Sequence, residues 1–234
     1  MQSGAQPGPP ERDASHAADL LRMAAGQLRS GAEATALDTY LVTVIDHGLN
    51  ASTFTARVVA STAADFGSAV LAALGALKGP LHGGAPGPVL DMLDAIGSAD
   101  NAAPWLEAAL DRGERLMGFG HRIYRTRDPR ADVLKHALKR MDGRGARLEL
   151  AEKVESTALN ALARRKAGRR LDVKVEFYTA LLLDGIGRPR EAFTPIFACG
   201  RVGGWLAHCA EQVADGQLIR PQSVYAGPMP GKAA

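Results

Sequence analysis

Three of the six histidines in this chain stand at glycine-bounded breaks: His47 in DHGLN, His82 in KGPLHGGAPG and His121 in GFGHR. Flanking glycines let a backbone turn sharply and let a ligand come close, which serves a side chain used for chemistry and adds nothing to a core. An imidazole titrates near neutrality, so each of the three has acid and base roles open to it. His16, His136 and His208 fall within helical pattern and read as surface or packing residues. The three glycine-bounded histidines lack the i, i+3 or i, i+4 spacing of a helical metal pair, and nearby arginines repel a cation, so no metal site is expected.

Arginines form the second set. In RDPRADVLKHALKR, Asp128 reads as a helix N-cap and Pro129 as the first helical residue, which puts Arg130 in the first turn, where the helix dipole disfavours a cation. Asp128, Asp132 or a bound anion would each compensate it. Arg201, in FTPIFACGRVGGWLAH, sits among apolar and small residues with no acidic partner in its local sequence, so a bound carboxylate is a candidate. Arg220, in LIRPQS, follows the last long helix. Glu176 opens the helix of KVEFYTALLLDGIG, where a carboxylate also suits the dipole. Histidines, surplus arginines and one carboxylate together suit the binding of a dicarboxylate and the movement of protons.

The elements that must hold these residues read as helices nearly throughout. Apolar residues recur at three and four over about 16–30, 36–47, 52–63, 66–77, 86–96, 102–112, 129–141, 147–166, 174–186 and 190–214. Alanine, the strongest helix former, dominates, and LMGFGHRIY is the one stretch suited to a small β element. An all-α fold is expected. The Gly/Pro-rich start (1–15) and the tail (227–234) read as disordered. Between them, short joints near Gly79 and Lys174 divide the chain into helices of a larger domain (16–78), a smaller domain (79–173) and a return to the larger one (174–226).

Composition sets outer limits. The chain has 234 residues, 46% hydrophobic and 23% charged, with a net charge of +3, as a globular protein would. No apolar run reaches the roughly 20 residues of a membrane span, and the start lacks a signal-peptide pattern, so a cytoplasmic location and no membrane partner are expected. No Lys/Arg run is interleaved with aromatics in the manner of a nucleic-acid groove; ALARRKAGRR reads as a solvated helix end. Cys199 and Cys209 lie ten residues apart on one predicted helix, about 15 Å from each other, and do not pair.

Five segments, DHGLNASTFTARVVAST, GALKGPLHGGAP, GFGHRIYRTRDPRA, KVEFYTALLLDGIG and FACGRVGGWLAHCAEQ with LIRPQS, occur in an order and spacing that resemble the bacterial citrate synthase family, including the 2-methylcitrate synthases. The resemblance runs from about His16 to Tyr225. It implies an all-α fold in a large and a small helical domain, and a homodimer or a multiple of one. It also implies condensation of acetyl-CoA or another short acyl-CoA with oxaloacetate, with no cofactor beyond these substrates.

By position, the resemblance makes His82 the residue that hydrogen-bonds the thioester oxygen as the acetyl methyl group loses a proton. A helix beginning near Ala85 would depress its pKa. Glu176 falls where the family usually has an aspartate base. His121 would bind oxaloacetate and give its carbonyl a proton, and His47 would hydrogen-bond the same substrate. Arg130, Arg201 and, from a second subunit, Arg220 would clamp its carboxylates. Leu116, Met117, Gly118, Phe119, Gly120 and Arg125 match the loop that wraps the CoA nucleotide, and Lys174 stands where the family commonly has asparagine.

Family members carry a long helical part before the position matched by His16. Its lack here predicts uncovered apolar faces on 36–47 and 190–214, among them Leu41, Val44, Ile45, Ile196, Phe197 and Trp205. It also makes a subunit that partners a complementary citrate synthase chain the alternative to an enzyme active alone.

Overall fold

A computed structural model describes residues 6, 8–25, 30–79, 82, 83, 86–120, 127–141, 145–165 and 171–227. Parts of the lead (1–5 and 7) and of the tail (228–234) lie outside the described residues, as do His121 and Arg125. Helices account for nearly all regular structure among the described residues: α1 (His16–Ala25), α2 (Gly31–Thr43), α3 (Ala51–Ala60), α4 (Phe66–Leu77), α5 (Gly87–Ile96), α6 (Ala102–Asp111), α7 (Pro129–Lys139), α8 (Gly145–Arg165), α9 (Val175–Gly185) and α10 (Phe193–Asp215). The fold is all-α, as the sequence predicts.

Local chemistry sets the helix ends. Ser30 accepts from the Glu33 amide at the start of α2, Asn50 from the Ser52 and Thr53 amides at α3, Asp65 from the Ser68 amide at α4, and Asp128 from the Arg130 amide at α7. Each satisfies a donor that the first turn would otherwise leave unpaired. Helix α2 stops at Thr43, ahead of the expected 47, because the chain turns into the loop of Asp46, His47 and Gly48, with Gly48 at φ +57°. Helix α5 starts at Gly87 after Pro86.

Two apolar clusters form the interior. The larger joins α1, α2 and α5 to α9, with α9 at its centre: Phe177 to Leu183 are all buried. The smaller joins α3, α4 and α10 through Ala56, Ala69, Ala73, Leu77, Trp205 and Cys209.

Packing of α10 corrects one expectation. Leu41, Val44, Ile196 and Trp205 are buried, and Phe197 packs against the core; Ile45 alone of the six is exposed. The cause is a row of small residues on α10. A Cβ on Gly204 would stand 2.0 Å from the Ile45 carbonyl oxygen, and one on Gly200 would stand 2.7 Å from Val44 Cγ2, so only glycines allow the end of α2 to lie this close. Within the same two segments, 36–47 and 190–214, Val42, Ile45, Leu206 and Val213 are exposed, as are Phe54 on α3 and Leu71 on α4.

Among the described residues, the one β feature occurs where the sequence suggests. Phe119 and Val173 form an antiparallel bridge; Gly120 N–H donates to Asp172 O at 2.9 Å and Lys174 N–H to Gly118 O at 2.8 Å. Gly118, at φ +81°, lies so close to Phe177 that a Cβ there would be 2.9 Å from its side chain. The 116–120 stretch is thereby fixed against the start of α9, one residue from Glu176.

Candidate active site

A cavity of about 440 Å³ opens between the loop after α2 and the start of α7. Asp46, His47 and Gly48 form one wall, and Arg127 to Arg130 form the other. Two of the predicted substrate ligands, His47 and Arg130, therefore share one cavity.

Arg130 is held by its own N-cap. Its Nε donates to Asp128 Oδ1 at 3.0 Å and its Nη2 to Asp128 Oδ2 at 2.8 Å. Burial favours the neutral acid at Asp128, but Arg130 outweighs it and keeps this carboxyl below the usual range. Of the compensating anions left open by the sequence, Asp128 is the one in contact.

Arg201 is buried, with 2% of its surface exposed. Its Nε donates to the Val44 carbonyl at 2.6 Å, and its guanidinium carbon lies 4.6 Å from the centre of the Phe197 ring. Its buried Nη1 has no hydrogen-bond partner among the described residues. Burial, and then the charge of Arg130, push its pKa down to about 10. Arg201 thus feels the Arg130 charge although 71 residues separate the two. Such a charge costs several kcal/mol unless something pairs with it.

His82 hangs on a hub at Ser52. His82 Nε2 lies 2.9 Å from Ser52 Oγ, Trp205 Nε1 donates to the same oxygen at 3.1 Å, and Ser52 Oγ donates to Asn50 Oδ1 at 2.8 Å. Burial, and then the Arg201 charge, lower the His82 pKa. The expected direction of the shift is found; α5 begins at Gly87, and desolvation is the first cause. The close approach here requires glycine at 83, where a Cβ would stand 2.3 Å from the Leu77 carbonyl oxygen.

Glu176 stands in the first turn of α9 with Oε2 buried and unpartnered among the described residues. Tyr40, buried beside it on α2, has its pKa raised, by burial first; the Arg201 charge opposes that rise and the Glu176 charge adds to it. Tyr40 thus lies within electrostatic reach of both. His82 thus feels the Arg201 charge, Arg201 feels Arg130, and Tyr40 feels both Arg201 and Glu176.

Other predicted residues fall differently. Leu116 and Phe119 turn into the core, Phe119 against Phe177 with ring centres 5.2 Å apart, so their side chains are taken by packing. Met117 is exposed, whereas Gly118 O and Gly120 N–H are engaged by the bridge to Asp172–Lys174. Lys174 is the N-cap residue of α9. Arg220 is exposed in the chain after α10 and does not line the cavity. Sequence reasoning missed Ser52, Asn50, Asp46 and Arg127. Asn50 carried a readable signal, because an asparagine before a helical run with Ser and Thr two and three residues on is a cap pattern.

Comparison with known proteins adds a separate line. The family model described as citrate synthase, C-terminal domain, matches residues 1–222. The chain is 49% identical over 195 residues to putative citrate synthase 2 of Mycobacterium tuberculosis, covering 83% of this chain and 52% of that protein. It thus spans about half the length of that relative. A ternary complex of citrate synthase from Thermoplasma acidophilum with carboxymethyl coenzyme A and oxaloacetate superposes with a TM-score of 0.82 at 35% identity, over 96% of this chain and 60% of that one. Citryl-CoA lyase from Hydrogenobacter thermophilus superposes with a TM-score of 0.80 at 26% identity, over 95% of this chain and 88% of that one.

Proposed function

Because the chain belongs to the citrate synthase family, we propose that it condenses a short acyl-CoA with oxaloacetate, giving citrate or 2-methylcitrate and free CoA. The observation that carries this reading is a pair of buried, unpartnered polar atoms of opposite charge among the described residues: Arg201 Nη1 and Glu176 Oε2. A cation awaiting an anion and a carboxylate with a free lone pair suit a carboxylate substrate beside a carbon acid.

In this reading Arg130 and Arg201 clamp the carboxylates of oxaloacetate, His47 hydrogen-bonds it, and Arg220 enters from a second copy. Glu176 removes a proton from the acyl carbon next to the thioester. His82 donates an N–H to the thioester oxygen, where negative charge develops. The Ser52 proton has two acceptors within reach, Asn50 Oδ1 and His82 Nε2. Turned to Nε2, it leaves Nδ1–H as the donor. The enol carbon then bonds to the ketone carbon of oxaloacetate, whose oxygen takes a proton from His121. Water cleaves the thioester and releases the CoA thiol. The 116–120 backbone, Met117, Arg125 and Lys174 face the CoA.

A second reading follows from the likeness to citryl-CoA lyase from Hydrogenobacter thermophilus, whose fold the chain shares at 26% identity. Cleavage of citryl-CoA to acetyl-CoA and oxaloacetate breaks the same carbon–carbon bond in reverse and needs the same groups. Exposed Phe54, Leu71, Leu206 and Val213 support an oligomer, as a homodimer or with a complementary chain. Two assays on the purified chain separate these readings. Thiol release from acyl-CoA that requires oxaloacetate supports the synthase, and oxaloacetate release from citryl-CoA without thiol release supports the lyase. Activity restored only by a second chain supports the subunit role.

A further inference from the structure

Helix α10 carries a polar residue that the proposed chemistry does not use. His208 lies four residues beyond Gly204 and eight beyond Gly200, on the stripe where the helix meets the end of α2. Its Nε2 is 3.0 Å from Asp46 Oδ1. The other oxygen of Asp46, Oδ2, accepts the Gly48 amide at 3.2 Å, closing the turn that contains His47. Both oxygens of one carboxylate are thus engaged, one by the His47 turn and one by α10.

The tautomer of His208 follows from its other side. Arg57 Nη1, on α3, lies 3.2 Å from His208 Nδ1, and an arginine only donates, so Nδ1 is the acceptor and Nε2 carries the proton. Arg57 is itself held by Gln212 at 3.0 Å and Glu211 at 2.9 Å on α10. Burial favours the neutral acid at Asp46, but the Gly48 amide, His208 and the His47 amide outweigh it, and its pKa falls below the usual range. The His208 Nε2–H therefore meets an ionised Asp46. Asp46 and His47 line the cavity; His208 does not.

We propose that His208 is a positioning residue: through Asp46 it latches the Asp46–Gly48 turn to α10 and so sets His47 in the cavity that it shares with Arg130. This rests on the reading of the cavity as the oxaloacetate site. The contact is partly open to solvent, so its effect on binding is modest, about fivefold.

The test is calorimetric titration of the full chain with oxaloacetate, paired with NMR of its 15N-labelled histidines. The His47 signals are assigned by their loss in His47→Gln. His208→Ala is expected to shift the His47 ring signals and to weaken binding about fivefold. His208→Gln, whose amide both donates and accepts, is expected to restore both. In the His47→Gln background, His208→Ala should cost nothing further, since His47 is the route of its effect. Unshifted His47 signals in His208→Ala, or a full additional loss in the double variant, would overturn the latch. A wild-type chain that takes up no oxaloacetate defeats the functional reading instead, and the ring signals still decide the latch.

Discussion

Arg201 donates Nε–H to the carbonyl oxygen of Val44 at 2.6 Å, while its Nη1 lies buried without a partner among the described residues. The backbone bond aims the guanidinium, and the remaining donor is what a carboxylate would meet. Replacing this cation by methionine removes an unfavourable buried charge along with one hydrogen bond. Arg201→Met is therefore expected to keep thermal stability within about 1 kcal/mol of wild type. Oxaloacetate affinity should fall roughly a hundredfold, near the value of a charge-assisted bidentate pair. Calorimetry and a melting curve on the same sample check both.

The same residue predicts an alkaline limit. Its pKa is pushed down to about 10, and only the protonated form attracts a carboxylate. Oxaloacetate affinity should hold from neutrality upward and fall as pH rises through about 10, well before an ordinary arginine would discharge. Titrations over pH 8 to 11 on wild type and on Arg201→Lys report it.

Ser52 is fully buried and bonded to His82, Trp205 and Asn50 at once. Ser52→Ala leaves the indole N–H unpaired and frees the His82 ring. The expected cost is about 1–3 kcal/mol in stability. The chemical step should slow by more than substrate binding weakens, because the hydrogen bond to the thioester oxygen strengthens in the transition state. A kcat/KM and kcat comparison shows whether the loss lies in kcat.

Glu155, buried on α8, receives Arg127, Lys135 and Tyr178, and so ties the cavity wall to the helix that carries Glu176. Burial alone would raise its pKa, but these donors lower it. A carboxylate with a depressed folded pKa adds stability that is present above its unfolded pKa and lost as pH falls through the folded one. Glu155→Gln is expected to cost about 3 kcal/mol at neutral pH and to flatten the acid limb of the stability curve. Urea unfolding at pH 4 and pH 7 checks it. His82 acts with the same sign: its lowered pKa means that stability is lost as pH falls below the ordinary imidazole value.

Much of this was legible in the residues. Helix α4 falls at Phe66–Leu77, where periodicity puts it, because Asp65 marks its start and an apolar run fills it. Helix α2 begins at Gly31, five residues before its apolar pattern, because the Ser30 cap and Glu33 outweigh a glycine and a weakly apolar first turn. Arg201 was readable as a buried cation in search of a partner. Its contact with Val44 was not, since 157 residues separate them and only the glycines of α10 bring the backbones together. His208 read as a surface or packing residue for the same reason: its partners Asp46 and Arg57 lie on other elements. The burial of Leu41, Val44, Ile196 and Trp205 was missed because α10 covers from within the chain what a preceding segment was expected to cover.

The most direct test of the account is release of CoA thiol by the purified chain, followed with each substrate alone, with both, and in Glu176→Gln. The account predicts thiol only when oxaloacetate and a short acyl-CoA are both present, and a fall of about a hundredfold or more when the carboxylate becomes an amide. Thiol release that ignores oxaloacetate, or near-native turnover in Glu176→Gln, would contradict it.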